Sequence, residues 1–140
     1  MRYLLDTNVV SETRRPARLP KSVANWFKVA DADAMFVSVA TLLEIEIGIR
    51  RLERRDPRQG AILRRWKTEL LTPTFRGRVL GVDEDIADSC AAMHAPDPRP
   101  LLDSIIAATA IVSNMVLVTR NVADFAHMPV RAFDPWVGTT

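Results

Sequence analysis

The chain is poor in the residues that build disulfide frameworks and zinc sites. Its 140 residues include one cysteine, Cys90, and two histidines, His94 and His127. A lone cysteine excludes an internal disulfide framework and suits a reducing compartment. The two histidines share no metal-ligand spacing, which argues against zinc. They read as loop-edge residues, and Cys90 as a small core residue on a helix. Long apolar runs are also missing. The most apolar stretch, Leu101 to Val118, is interrupted by Asp103, Ser104, Thr109, Ser113 and Asn114, so it reads as a buried helix and strand rather than a membrane span. The opening Met1-Arg2-Tyr3-Leu4-Leu5-Asp6 has too short an apolar run before a charge to be a secretory signal. The expected location is cytoplasmic, with no membrane partner. Repeats, low-complexity segments and linkers are absent, so one domain over residues 1–140 is expected.

What is present is a core and an uneven distribution of charge. Hydrophobic residues make up 48% of the chain, enough for a globular interior. The formal net charge is only +2, yet the isoelectric point is about 9.1. Arg50, Arg51, Arg54, Arg55, Arg58, Arg64, Arg65 and Lys67 crowd one stretch. That stretch reads first as a solvated helix face, and is compatible with a polyanionic partner.

Short apolar runs alternate with helical patterns. Strands are expected at Tyr3–Leu5, Met35–Val39, Arg78–Val82, Val116–Thr119 and Val130–Phe133. After the first strand, Pro16 and Pro20 mark a connection, and a short helix follows over Lys21–Val29. Thr41 has the spacing to cap a helix running to about Arg55, with Glu44 at the capping-box position. Asp56-Pro57 stops that helix. A second one is expected over Gln59–Leu71, ending before Pro73. Asp83 is expected to cap Glu84–His94, and Asp103 to cap Ser104–Ser113. Strands separated by helices imply an α/β fold with a central parallel sheet of four to five strands and helices on both faces.

Four acids stand where apolar runs end or helices begin: Asp6, Glu44, Asp103 and Asp124. In doubly wound sheets the ligand crevice lies beyond the carboxyl ends of the strands, and all four acids fall near that edge. Carboxylates among core-type residues are costly unless compensated. Oxygen-only donors favour Mg²⁺ or Mn²⁺. Three of the four acids also have a structural explanation. Asp6 terminates a strand, Asp103 is a good N-cap, and Glu44 suits a capping box or an arginine partner. Glu46 competes with Glu44, but stands four residues before Arg50, the favourable orientation for a helix-surface pair. Asp83, Glu84, Asp85 and Asp88 are explained by a charged first helical turn. A phospho-aspartate domain using Asp6 as nucleophile is disfavoured: no Asp-x-Asp pair follows the first strand, and the fourth-strand motif has no lysine.

The motifs Leu4-Leu5-Asp6-Thr7-Asn8, Glu44-Ile45-Glu46-Ile47-Gly48, Leu102-Asp103-Ser104-Ile105-Ile106-Ala107-Ala108-Thr109-Ala110 and Leu117-Val118-Thr119-Arg120-Asn121-Val122-Ala123-Asp124-Phe125, followed by Phe133-Asp134-Pro135-Trp136, resemble those of the PIN-domain family. The resemblance is to VapC-type toxins of type II toxin–antitoxin modules, in their FitB-like branch. It implies a three-layer α/β/α fold and a Mg²⁺-dependent endoribonuclease, with Mn²⁺ as a substitute. The implied partners are RNA, a VapB-type antitoxin and, through the antitoxin alone, DNA.

On that resemblance Asp6 and Asp103 are the direct metal ligands. Asp124 completes the site or acts through water, and Glu44 positions a water or takes its proton. Asn8, Thr119 and Asn121 are candidates to orient the carboxylates. Many relatives carry an acid where this chain has Asn121, so Asn121 and Asp124 both remain candidates for the fourth position. Arg120 has two readings, phosphate contact or brace for an acid. The resemblance also covers members with little nuclease activity, so a regulatory subunit acting through a DNA-binding antitoxin complex is the alternative. A homodimer is expected, with the Trp26 helix and the Glu44–Leu71 helical pair as candidate surfaces for the second copy and the antitoxin.

Overall fold

A computed structural model describes residues 1–137; the last three residues of the expected 1–140 domain lie outside the described residues. The elements run β1 (Tyr3–Leu5), α1 (Thr7–Glu12), α2 (Lys21–Val29), β2 (Met35–Ser38), α3 (Val39–Arg55), α4 (Pro57–Trp66), α5 (Thr72–Thr74), β3 (Val79–Leu80), α6 (Glu84–Met93), α7 (Leu101–Val112), β4 (Val116–Val118) and β5 (Ala132–Phe133). The five strands form one sheet in the order β3-β2-β1-β4-β5, and every neighbouring pair is parallel. The chain steps outward from β1 through β2 to β3, then returns to the other side of β1 with β4. Ligands bind at such a switch point, beyond the strand ends.

Side-chain alternation along the central strands splits the core between the two faces. Leu5, Val37 and Val118 point into a cluster with Val9, Val10, Ile45 and Ile49. Leu4 and Leu117 point the other way, against Ile106, Ala107, Ala110 and Phe125. Helices therefore cover both faces, as the three-layer reading requires. Leu4, Leu5 and Leu117 are essentially inaccessible to water, so truncating any one to alanine costs about 2–5 kcal/mol. Trp26 packs edge-on to Tyr3 at 5.2 Å and to Phe27 at 5.0 Å. The aromatic face of α2 is thus committed to the core.

Several local expectations are corrected. The stretch after β1 is not only a connection: Thr7–Glu12 forms α1, started by Asp6, whose Oδ1 accepts the Thr7 N–H at 2.8 Å. Ser38, not Thr41, caps α3, its Oγ accepting the Ala40 N–H at 3.0 Å; the helix starts at Val39, and Thr41 is buried inside it. The strand expected over Arg78–Val82 shrinks to Val79–Leu80. Asp103 does not cap α7. Pro100 holds that place, and Asp103 sits in the first turn, where its charge faces the positive helix end.

The helix expected to stop before Pro73 runs past it. Thr72 N–H reaches back five residues to Lys67 O. This wide turn carries the path through a proline, which has no N–H to place. Gly60 permits the α3–α4 hairpin to close, since a Cβ there would lie 2.5 Å from the Glu53 Cα. Asn114 ends α7 with φ 55°. Asn114 N–H donates to Ile111 O at 3.1 Å and Met115 N–H to Ala110 O at 2.8 Å, a Schellman closure that aims the chain into β4.

Candidate active site

Asp6 lies at the carboxyl end of β1, 6% exposed. Its backbone N–H donates to Val118 O at 2.9 Å, which ties it to the end of β4. Its two carboxylate oxygens are held separately. Oδ1 accepts from Thr7 N–H, and Oδ2 accepts from Thr119 Oγ1 at 2.8 Å. Thr119 is fully buried and in turn accepts the Asn121 N–H at 3.0 Å, so its hydroxyl proton is directed at Asp6. Burial pushes the Asp6 carboxyl above its ordinary range, and Glu44 and Asp124 push the same way; the hydrogen bonds from Thr119 and Thr7 oppose them.

Glu44 reaches the same place from the second turn of α3. Its Oε1 accepts a hydrogen bond from Thr7 Oγ1 at 2.6 Å, and Thr7 Oγ1 also lies 3.2 Å from Thr41 Oγ1. Glu44 is therefore oriented by threonine rather than engaged in a capping box. Asp103, half-buried on the first turn of α7, has its carboxyl pushed up to about 6, first by burial and then by the charges of Asp6, Glu44 and Asp124. Asp6, Glu44 and Asp124, from three other segments, thus lie within electrostatic reach of Asp103 and repel its charge. Asp124 stands exposed in the helical turn Val122–Phe125, and its charge acts on both Asp6 and Asp103.

The candidate orienting residues divide. Thr119 touches an acid directly. Asn8 Oδ1 accepts the Arg120 N–H at 3.3 Å, linking α1 to the segment after β4 rather than contacting a carboxylate. Asn121 acts through its backbone N–H on Thr119. Arg120 pairs with Glu12 at 3.1 Å and lies 5.0 Å from the Trp136 ring centre, so it braces the crevice wall. Thr7 was not foreseen as an orienting residue. The available signal was its position directly after Asp6, where a hydroxyl reaches whatever helix packs against β1.

Glu46, the competitor of Glu44, faces elsewhere. It binds Arg50 Nε at 2.6 Å, Arg64 Nη1 at 2.7 Å and Lys67 Nζ at 2.5 Å. Arg64 above all, then Lys67 and Arg50, hold its carboxyl well below the usual carboxylate range. Of the remaining sequence candidates, Cys90 is buried 3.3 Å from Ser104 Oγ. His94 ends α6, with Nε2 at 2.8 Å from the same hydroxyl.

The donor set of the crevice is oxygen throughout. Among the described residues, no group of three or more His, Cys, Asp or Glu side chains is placed to hold a metal ion directly. A hydrated Mg²⁺ needs only one or two direct carboxylates and takes the rest through water. Mutual repulsion of buried acids is what a divalent cation relieves.

The model of the PIN domain matches residues 3–130. The chain belongs to the PIN-domain family. It is 31% identical over 139 residues to Toxin FitB of Neisseria gonorrhoeae, covering 95% of this chain and 97% of that protein. A 66-residue stretch is 50% identical to Ribonuclease VapC14 of Mycobacterium tuberculosis, spanning 47% of this chain and 63% of the relative. Among solved structures, FitAB bound to an IR36 DNA fragment superposes with a TM-score of 0.83 at 29% identity, over 96% of this chain and 95% of that one. No helix among the described residues is long and apolar enough to cross a membrane.

Proposed function

We propose that this PIN domain, taken as one unit over residues 1–140, is the toxin subunit of a type II toxin–antitoxin pair and a Mg²⁺-dependent endoribonuclease, with Mn²⁺ able to substitute. The observation that carries the reading is geometric: Thr119 holds Asp6 at 2.8 Å and Thr7 holds Glu44 at 2.6 Å, and both acids repel the charge of Asp103. An uncompensated anionic crevice at the sheet's switch point is suited to a cation and, through it, a phosphodiester. The relative named as a ribonuclease, VapC14, supports the same chemistry.

In this reading Asp6 and Asp103 hold the ion directly, and Asp124 completes the site or acts through water. When bound, Mg²⁺ supplies an activated water and neutralises charge on the phosphate. Thr119 fixes Asp6 through Oδ2, so the carboxylate does not rotate as substrate enters. Thr7 occupies Glu44 Oε1 and leaves Oε2 free to accept the water's proton. Asn121 keeps the Thr119 hydroxyl aimed, and Asn8 holds the segment that carries Asn121. Between the two candidates for the fourth position, Asp124 is favoured over Asn121, because its charge reaches both Asp6 and Asp103.

The proposed setting is cytoplasmic, as a homodimer neutralised by a VapB-type antitoxin, with DNA reached only through the antitoxin. One observation favours a second reading, a FitB-like regulatory subunit with little or no nuclease activity. The similar FitAB structure is a complex on DNA. Purified, antitoxin-free protein separates the two. With Mg²⁺ or Mn²⁺ it is expected to cleave structured RNA, and chelator, Asp6→Asn and Asp103→Asn are each expected to abolish cleavage. The double variant should be little worse than either single one, because the two groups act as a unit. Undiminished cleavage by Asp6→Asn would rule out the proposed site. Absence of cleavage by the wild type, with promoter DNA bound only alongside antitoxin, would favour the regulatory reading.

A further inference from the structure

A cavity of about 270 Å³ runs along α3 from Glu44 to Arg55. Thr7 and Glu44, the orienting hydroxyl and the candidate base, line one end of it. Gly48, one helical turn beyond Glu44, also lines it, and a Cβ built on Gly48 would meet no atom within 4 Å. The glycine is therefore not required by packing; its effect is to leave the cavity open. Leu63 and Trp66 of α4 line an apolar wall, and Arg14 and Arg55 bring positive charge to it.

Arg14 is the more telling of the two cations. It is half-buried just beyond α1, and no ion pair engages it among the described residues. Its acidic neighbour Glu12 is taken by Arg120 at 3.1 Å. Arg15 and Arg18 follow along the same segment, lining a further cavity with Arg14, Ser11 and Glu12. A desolvated guanidinium among like charges calls for an anion with planar acceptor geometry, and phosphate is the common one.

We propose that this pocket holds the RNA nucleotide next to the scissile phosphate, with its base against the Leu63–Trp66 wall and its phosphate on Arg14. The proposal rests on the ribonuclease reading. The cavity is near the small end of the roughly 300–1,000 Å³ range for ligand sites, which fits one base rather than a larger group. Arg14, Arg15 and Arg18 then form a track for the strand as it leaves the crevice. Two arginines, Arg14 and Arg55, against one acid, Glu44, in the lining favour a polyanion over an apolar peptide as occupant.

The test uses the full-length protein and a fluorescein-labelled RNA decamer of randomised sequence, titrated in chelator so that nothing is cleaved. Gly48→Leu fills the cavity. It is expected to weaken binding roughly tenfold, the loss of one base's apolar contact, and to raise KM with little change in kcat. Its Tm should be unchanged or higher, since leucine is the better helix former. Arg14→Gln should weaken binding and flatten the dependence of log affinity on log salt by about 0.7, the value for one phosphate contact on a single strand. Wild-type cleavage combined with unaltered affinity and salt slope in both variants would overturn the pocket while leaving the ribonuclease reading intact. A wild type that neither binds the decamer nor cleaves RNA would overturn both. Retained decamer affinity, with neutralisation by a VapB-type antitoxin lost, would assign the pocket to a protein and also overturn the proposal.

Discussion

Glu44 and Glu46 are two residues apart on α3 and have opposite surroundings. At 3.6 residues per turn they point roughly 200° apart around the helix. Glu44 faces threonine hydroxyls, and its charge acts on two other acids, Asp6 and Asp103. Glu46 faces three cations on α3 and at the α4 end. The Glu46 cluster satisfies its charge internally and locks the helical hairpin. Among the described residues no ion pair engages Asp6, Asp103 or Asp124, and their mutual repulsion costs stability. Two carboxylates with nearly the same local sequence context thus serve different ends, and counting acids would not separate them.

Substitution of each glutamate by glutamine tests the comparison most strongly. Glu44→Gln keeps the shape and the Thr7 bond while removing a base, so cleavage is expected to fall on the order of a hundredfold. Glu46→Gln should leave cleavage within about twofold. Steady-state kinetics on one RNA substrate reads both, and equal losses would erase the distinction.

The next effect is stabilisation by metal. An ion that binds only the native state adds about 2.7 kcal/mol at 100 times its dissociation constant. Mg²⁺ or Mn²⁺ at constant ionic strength should therefore raise the Tm by several degrees. Asp6→Asn and Asp103→Asn should shrink that rise, and Glu46→Gln should not. The same increase in all four proteins would place the ion outside the crevice.

Smaller effects concern pH, and they have opposite signs in the two regions. The Asp103 carboxyl is raised from 3.8 to about 6 in the fold. Within that window the native state holds more protons than the unfolded chain, so stability falls as pH rises through it. At pH 7, Asp103→Asn removes this cost and is expected to raise the metal-free Tm by about 3 °C, for roughly 1 kcal/mol in a half-hydrated site. The gap should close below about pH 4.

Glu46 is depressed below its ordinary 4.5. Its contribution is present above that range and is lost as pH falls through the lower value in the folded state. Glu46→Gln is expected to cost about 1 kcal/mol at pH 7, because the cluster remains partly solvated, and progressively less in acid. Thermal melts across pH 3–8 measure both slopes, and slopes of the same sign would undo the contrast.

Much of this was open to a reading of residues alone. Lys21–Val29 emerges as α2 from its apolar spacing, Asp83 caps α6 as its position predicts, and Asp56-Pro57 separates α3 from α4. Such features depend on neighbours within a turn or two, where spacing and capping chemistry are written directly in the chain. The short α1 is not legible in the sequence, because six residues give too little periodicity to separate a helix from a connection. The cap of α7 lies three residues before Asp103, because Pro100 begins the helix without any side-chain bond.

The sequence by itself determined the alternation of strands and helices and placed Asp6 at the end of the first strand. The fold alone decided which atoms the acids meet. Thr119 reaches Asp6 across 113 residues, and Thr7 reaches Glu44 across 37. Those contacts exist because β1 lies between β2 and β4. A threonine beside an aspartate in the chain carries no mark of the glutamate it will orient, since that partner is chosen by strand order and helix packing, not by local propensity.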